Sequence, residues 1–257
     1  MHVVVIHDWQ EETPVLIQSL AGDLGITPYE MRQRMIGNGP AVVACFADPH
    51  QAKDMAVKLT RSGVATMIVD TEAVRCETGR FRVRRFKLTD SYLQIEASNG
   101  LSIEIHYRDI DLLLSGTRIL GQAEMKTVTE RKFSLGKTLL SGGIPMTKTV
   151  KHQEEVNTEE RENILSLYAR ERPAVVFSQS NLSYEGFGTT MKLSRELNFS
   201  FLKSELRRLC PAAGHDDRLL NRLGQVRLLG PTLNPETNLD LAFDILDRTL
   251  RRRRETF

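Results

Sequence analysis

The chain has 257 residues, of which 40% are hydrophobic and 26% charged, and its formal net charge is +2. These proportions are ordinary for a globular protein and indicate neither a disordered nor a membrane class. A charge so close to zero excludes a whole-molecule field that would attract nucleic acid or anionic lipid, so such a role needs a local basic patch.

The cysteine content and the hydropathy of the sequence indicate the cellular compartment of the protein. The three cysteines, Cys45, Cys76 and Cys210, are odd in number and form no CxxC pair, which is typical of reduced thiols. No apolar stretch reaches the roughly 18 residues that span a bilayer, and the apolar run near the N-terminus is too short for a signal peptide. We therefore expect a cytoplasmic protein without membrane insertion and without a cofactor.

The first seventy residues alternate strand and helix patterns. A continuous run of β-branched residues opens the chain and is typical of a strand buried on both faces. Thr27, Pro28 and Glu30 carry the signature of a capping box with proline at the first helical position. The predicted elements are a strand at 3–6, a helix at 13–25, a helix from Thr27 to a glycine-rich turn at 37–40, a strand at 41–46, a helix at 48–63 and a strand at 64–69.

This βααβαβ order and several of its residues resemble the C-terminal domain of the ribosomal stalk protein of the large subunit, a fold that the Clp protease adaptor also resembles. The residues that carry the resemblance are Leu24, Gly25, Ile26, Glu30, Met31, Arg32 and the segment 48–69. They belong to about a quarter of the chain. In the stalk family the second helix helps to dock translation factors, so the resemblance implies a docking surface at Tyr29 and Arg32.

Beyond residue 80 the hydrophobic period falls to two, which indicates half-exposed strands. Arg85 and Phe86 break this phase and predict a bulge. Asn99-Gly100 predicts a hairpin with a type I′ turn. The further predictions are a bent or helical segment at 110–114, a strand at 127–133, a long flexible loop near 134–160, a second hairpin at 164–178 with more β structure after it, and helices at 199–209 and 239–250.

These patterns predict an α+β chain of two domains. The first is a βααβαβ sandwich at residues 1–72, and the second, at residues 80–257, is mainly antiparallel with C-terminal helices. The second domain loosely resembles the sheet of pleckstrin-homology-like domains, and another α+β topology is the alternative. The chain as a whole resembles a bacterial protein.

Motifs that would identify a reaction are absent from the sequence. It has no GxSxG elbow, and its six histidines show no metal-binding spacing. His215, Asp216 and Asp217 are predicted to form a turn or cap. The segment 134–138 ends like a phosphate-binding loop, but Arg131 stands where that loop requires glycine. We therefore predict no catalytic residue and no metal site, which favours a protein that is not an enzyme.

Two basic clusters are the candidates for contact with anions. Arg82 and Arg84 alternate in one predicted strand, and Lys137 lies in the glycine-bearing loop. The alternative for the arginine strand is a solvated sheet edge that discourages aggregation. The terminal run 251–254 is explained by a helix C-terminus, where cations complement the helix dipole.

The function that these observations favour is non-enzymatic binding, as an adaptor or regulatory protein whose partner is another protein. The docking surface would be the exposed face of the first module or the loop near 134–160. The alternative is an enzyme or binder that acts on a phosphorylated or anionic small molecule. A second alternative is association with nucleic acid through the basic patches, which the nearly neutral charge disfavours.

Overall fold

A computed structural model describes residues 1–9, 11–37, 39–76, 79–133 and 147–255 of the protein. The strands are β1 His2–His7, β2 Ala41–Phe46, β3 Ala65–Asp70, β4 Phe81–Leu88, β5 Tyr92–Ala97, β6 Ser102–His106, β7 Ile110–Phe133, β8 Thr147–Ala169, β9 Val175–Ser178 and β10 Gly214–Leu219. The α-helices are α1 Pro14–Leu24, α2 Pro28–Met35, α3 Pro49–Arg61, α4 Thr71–Cys76, α5 Arg195–Leu209, α6 Arg222–Leu229 and α7 Pro235–Glu255. The predicted α+β class is confirmed.

Contacts divide the chain into two compact units. The first contains residues 1–118 and 162–257, and the second contains residues 119–161, which include the distal parts of β7 and β8. The predicted domain boundary between residues 72 and 80 stays a prediction.

The first sheet has the order β2-β1-β3, with both pairs antiparallel. Its central strand β1 is buried on both faces, as its continuous apolar run predicts. Val4 and Ile6 lie in a core with residues of α1, α2 and α3. Val3 and Val5 lie in a second core that includes residues of β7, α6 and α7. The βααβαβ segment therefore shares its packing with the C-terminal helices.

The helices of this segment begin where the sequence predicts. Thr13, Thr27 and Asp48 are their N-caps, and each side chain accepts a backbone N–H of the first turn. The Thr27 Oγ1 accepts from the Glu30 N–H at 3.2 Å, and the Glu30 carboxylate accepts from the Thr27 N–H at 2.8 Å. This completes the predicted capping box, and hydrogen bonding to Thr27 lowers the pKa of Glu30. The following polar connection contains one unpredicted short helix, α4.

The second sheet has the order β10-β7-β8-β9-β4-β5-β6. The pairs β4-β5, β5-β6 and β8-β9 are antiparallel, whereas β4-β9 and β7-β10 are parallel. The register of β4 against β5 shifts between Val83 and Arg85, which confirms the predicted bulge. The resemblance to pleckstrin-homology-like domains stays a prediction.

The β5-β6 hairpin is confirmed, but its predicted type I′ turn is wrong. The Gly100 N–H donates to the Ala97 carbonyl at 3.0 Å, so Ser98 and Asn99 are the central turn residues. Neither has the positive φ that type I′ requires, and Gly100 alone is left-handed at φ 81°. The loop is therefore one residue longer than predicted and places its glycine after the turn.

Three other predictions differ from the structure. Residues 110–114 begin β7 instead of a helical or bent segment, because β7 lies between β8 and β10 in the sheet and residues 112–114 pair with β10. The predicted strand at 127–133 is confirmed as the end of β7. Residues 147–160 belong to β8 instead of a flexible loop, while 134–146 lie outside the described residues. The hairpin of β8 and β9 is confirmed, but helical turns at Glu185–Thr190 follow it instead of further strands. The predicted helices at 199–209 and 239–250 are confirmed as parts of α5 and α7.

Candidate functional site

Four arginine side chains line one cavity of about 300 Å³, which we call the arginine cavity. Among the described residues, Asp240 is its only acidic lining residue, so these residues carry an excess of three positive charges. Its lining residues are Arg80, Arg82, Val83, Arg84, Ser98, Arg118, Ile164, Val176, Ser178, Asn181 and Asp240. All of them belong to the compact unit of residues 1–118 and 162–257.

The geometry of β4 aligns three of these arginines. Arg80 directly precedes β4, Arg82 and Arg84 lie in it, and all three line the cavity, so they form a row along the strand. The intervening Phe81 and Val83 are buried in the core beneath the strand. The sequence pattern of alternating arginine and apolar residues is thus the direct cause of the basic row.

The alternative reading of this strand as a protected sheet edge is wrong. Strand β4 lies between β5 and β9 in the sheet, and β10 and β6 occupy the two ends of the strand order. The Arg84 carbonyl, beyond the short β9, accepts from the Ser183 N–H at 2.8 Å. Because β4 has neighbours on both sides, its arginines are not needed to prevent edge-to-edge pairing.

Two of the four arginines are bridged by Asp240. The Oδ1 of Asp240 lies 2.9 Å from Arg80 Nη1 and 3.2 Å from Arg118 Nη2. The Arg80 side chain is only 12% exposed, whereas that of Asp240 is 42% exposed. Asp240 therefore fixes two guanidinium groups while its carboxylate stays accessible to solvent.

The other two arginines are less constrained by acidic groups. The Arg84 guanidinium donates to the Asn181 carbonyl. The exposed Arg82 makes no ion pair with the described residues. The positive charge of the cavity is therefore least neutralised at its Arg82 and Arg84 end.

A buried carboxylate lies next to the cavity. Glu162 is 8% exposed and accepts hydrogen bonds from the hydroxyl groups of Ser178 and Ser180. Burial raises the pKa of Glu162, but these hydrogen bonds and the charge of Arg118 outweigh burial, and the net pKa is lowered. A carboxylate with a lowered pKa is a weak base. Glu162 is therefore better suited to hold the Ser178 hydroxyl in position than to remove its proton.

The chain matches no protein-family model, no curated protein and no solved structure. The resemblances to the ribosomal stalk domain, the Clp protease adaptor and pleckstrin-homology-like domains therefore stay predictions.

The predicted site residues fall into three groups. Arg82 and Arg84 line the same cavity. Tyr29 and Arg32 are exposed on α2, three residues apart and hence on one helix face, and Tyr29 is 71% exposed. Lys137 lies outside the described residues. The first two groups stand on different elements, and their roles stay predictions.

The acidic pair near His215 is not a turn or cap, because Asp216 and Asp217 belong to strand β10. Each engages an arginine: Asp217 lies 2.5 Å from Arg207 Nη2, and Asp216 lies 2.7 Å from Arg218 Nη2. Among the described residues, no group of three or more acidic, histidine or cysteine side chains could hold a metal ion.

The remaining candidates from the sequence are Cys210 and the terminal arginine run 251–254, and their surroundings in the structure explain both. Burial raises the pKa of the Cys210 thiol to about 12, so this thiol stays protonated at neutral pH. The terminal arginine run lies in the last turns of α7, where Arg251 Nε lies 2.6 Å from Asp247. No helix in the described part of the chain is both long and apolar enough to cross a bilayer.

Sequence reasoning singled out Arg82 and Arg84 but missed Arg118 and Asp240. Arg118 lies on β7 of the second sheet, which strand pairing brings to the cavity. Asp240 lies on α7, about 160 residues after Arg80 in the sequence. No local pattern marks either residue. The alternating arginines of β4 are the one signal that indicated this site.

Proposed function

We propose that the protein is a binding protein whose arginine cavity takes a phosphorylated small molecule. The observation that carries the proposal is the convergence of four arginines on one cavity whose described lining includes a single acidic residue. Guanidinium groups bind phosphate oxygens through paired hydrogen bonds, and they keep their charge at any physiological pH. The proposal involves binding and no chemical step.

The size and the neutral lining groups support a small ligand. The volume of about 300 Å³ is near the lower end of the range typical of small-molecule sites. Ser98, Ser178 and Asn181 provide hydroxyl and amide groups beside the arginines. The presence of several arginines around one cavity favours a ligand with more than one anionic group. A compact diphosphate or sugar phosphate has this combination of charge and size.

The experiment is calorimetric titration of the full chain with pyrophosphate, ribose 5-phosphate and citrate. Arg82→Gln and Arg84→Gln should each weaken phosphate binding by about tenfold, since each removes a charge-assisted hydrogen bond. Arg85→Gln is the matched control, because Arg85 lies on the same strand, is 62% exposed, pairs with Glu96 at 3.7 Å and does not line the cavity.

The titration distinguishes three outcomes. Loss of binding in Arg82→Gln and Arg84→Gln, with normal binding in Arg85→Gln, supports the proposal. Equal effects of all three substitutions would indicate nonspecific electrostatic attraction and overturn it. Tighter binding of a single-stranded oligonucleotide, with steep salt dependence, would support the nucleic-acid alternative instead.

A second candidate function is protein docking through α2. Tyr29 is 71% exposed, and tyrosine is enriched in protein–protein interfaces, which favours this function. Removal of residues 1–70 is an unsuitable test, because Val3 and Val5 share a core with the C-terminal helices. Tyr29→Ala and Arg32→Ala keep the core intact. Each should abolish retention of a stoichiometric protein partner in affinity purification, and Leu101→Ala, at an exposed hairpin tip, should retain it.

A further inference from the structure

A second basic cavity lies apart from the arginine cavity and shares no lining residue with it. It has a volume of about 110 Å³, and we call it the glycine-turn cavity. Its lining residues are Arg34, Ile36, Gly37, Gly39, Pro40, Arg218, Gly224, Arg227 and Leu228. The described lining residues include three arginines and no acidic residue, so they concentrate positive charge in a small volume.

The three arginines come from elements that are distant in the sequence. Arg34 lies in the last turn of α2, Arg218 in β10 and Arg227 in the last turn of α6. Like charges that converge in this way repel each other unless an anion lies between them. The arrangement therefore has an electrostatic cost that a bound anion would remove.

Two of these arginines are held in fixed orientations. Arg34 Nη1 donates to the Val43 carbonyl at 2.7 Å. Arg218 Nε donates to both carboxylate oxygens of Asp216, at 3.0 and 2.9 Å. The Asp216 side chain is only 12% exposed, so the Arg218 guanidinium is anchored from the protein side. Anchoring of this kind reduces the entropy lost when a ligand binds.

The third arginine carries charge that the described residues do not neutralise. Arg227 is exposed and has no ion pair with any described residue. Asp216 neutralises Arg218, so the positive charges of Arg34 and Arg227 remain at this small cavity.

The glycines make room for this arrangement. A Cβ on Gly39 would lie 2.0 Å from Arg218 Nη1, and a Cβ on Gly224 would lie 1.9 Å from the Arg218 carbonyl oxygen. Any side chain at Gly39 would therefore displace the guanidinium from its present position. The glycine-rich turn at 37–40, predicted from the sequence only to end α2, also provides the open space beside Arg218.

We propose that the glycine-turn cavity binds a single phosphoryl group through Arg34, Arg218 and Arg227. Its volume of about 110 Å³ is well below that of the arginine cavity, and a small tetrahedral oxyanion suits it better than a whole nucleotide. The group is either free phosphate or the phosphate of a monoester whose remainder lies in solvent.

The test uses inorganic phosphate as the probe, with binding followed by calorimetry on the full chain. The background variant carries Arg82→Gln and Arg84→Gln, so that the arginine cavity does not contribute. Adding Arg227→Gln should weaken phosphate binding by about tenfold, because it removes a charged donor at an exposed position where folding is little affected. Arg108→Gln is the control, since Arg108 is 84% exposed and remote from the cavity lining.

Gly39→Ala provides a second test that changes no charge. The added methyl group displaces Arg218 Nη1 and should weaken phosphate binding by about fivefold or more while leaving the charge of the cavity intact. Circular dichroism and the melting temperature establish that this variant folds. If it does not fold, Arg227→Gln alone decides.

Phosphate binding that persists in the background variant and falls with Arg227→Gln supports the proposal. Comparison with O-phosphoserine then identifies the source, because a monoester that binds more tightly assigns the site to an esterified phosphate and a weaker one to the free ion. No phosphate binding in the background variant, or binding that Arg227→Gln leaves unchanged, overturns the proposal.

Discussion

The guanidinium group of Arg118 on β7 lies 3.2 Å from the carboxylate of Asp240 on α7. This carboxylate also contacts Arg80, so one aspartate neutralises part of the charge that lines the arginine cavity. A ligand phosphate has to compete with Asp240 for the same two guanidinium groups.

Asp240→Asn should therefore strengthen the binding of pyrophosphate. The carboxylate is 42% exposed, so solvent screens its effect, and we expect a gain of about two- to fivefold, or roughly 0.5–1 kcal/mol. Calorimetry at low ionic strength measures the change, with Asp109→Asn as the surface control. Weaker binding in Asp240→Asn would show that the carboxylate positions the arginines instead of competing with the ligand.

Thr27→Ala should destabilise the protein by about 1 kcal/mol, because it leaves the first turn of α2 without its cap. For a chain of this size the melting temperature should fall by roughly 2–4 °C. Thr189→Ala serves as the control, since Thr189 is exposed and its side chain makes no hydrogen bond with another described residue. Equal melting temperatures for the two variants would contradict a stabilising role for the capping box.

Gly116→Ala should destabilise the protein, whereas Gly22→Ala should stabilise it. A Cβ on Gly116 would lie 2.7 Å from the Phe243 ring and 3.3 Å from Leu219 Cβ, so the core must shift, at a cost of about 1–3 kcal/mol. Gly22 lies in α1 with no atom within 4 Å of such a Cβ, and alanine there should add about 0.5–1 kcal/mol. Urea unfolding of both variants checks the opposite signs.

The pH dependence of stability should reveal Asp247. Burial raises the pKa of its carboxyl to about 6, from an ordinary value of 3.8, although Arg251 and Arg248 partly oppose this and Asp244 adds to it. Between these two pH values the folded chain binds more protons than the unfolded chain, so this group contributes more stability as the pH falls from about 6 towards 4.

The comparison is with Asp247→Asn, which cannot titrate. Urea unfolding at pH 7.5, 6 and 5 should show the free energy of unfolding of the wild type rising relative to that of Asp247→Asn as the pH falls. A difference between the two proteins that is independent of pH would mean that the carboxyl titrates near its ordinary value when folded.

Local structure in the first seventy residues followed from the sequence, because its causes are local. The hydroxyl of Thr27, the proline after it and Glu30 fix a helix start within four residues. The run of β-branched residues in β1 required burial on both faces, and the structure has both. The alternating arginines of β4 likewise predicted a basic face, since side chains alternate along any strand.

The loop length at Gly100 and the strand at 110–114 were not predictable in the same way. The pair Asn99-Gly100 is compatible with two turn types, and only the register of β5 against β6 decides between them. Residues 110–114 carry apolar side chains that fit either a helix or a buried strand, and neighbouring strands on both sides make them a strand.

By itself, the sequence determined the α+β class, the caps, the central strand β1 and the basic row of Arg82 and Arg84. Only the tertiary structure decided that this row is interior to the sheet, that Arg118 and Asp240 complete its cavity, and that Arg34, Arg218 and Arg227 converge beside Gly39. The physical reason is distance along the chain. Caps and strand periodicity depend on neighbours within a few residues, whereas a cavity joins side chains that strand order and helix packing bring together from segments far apart.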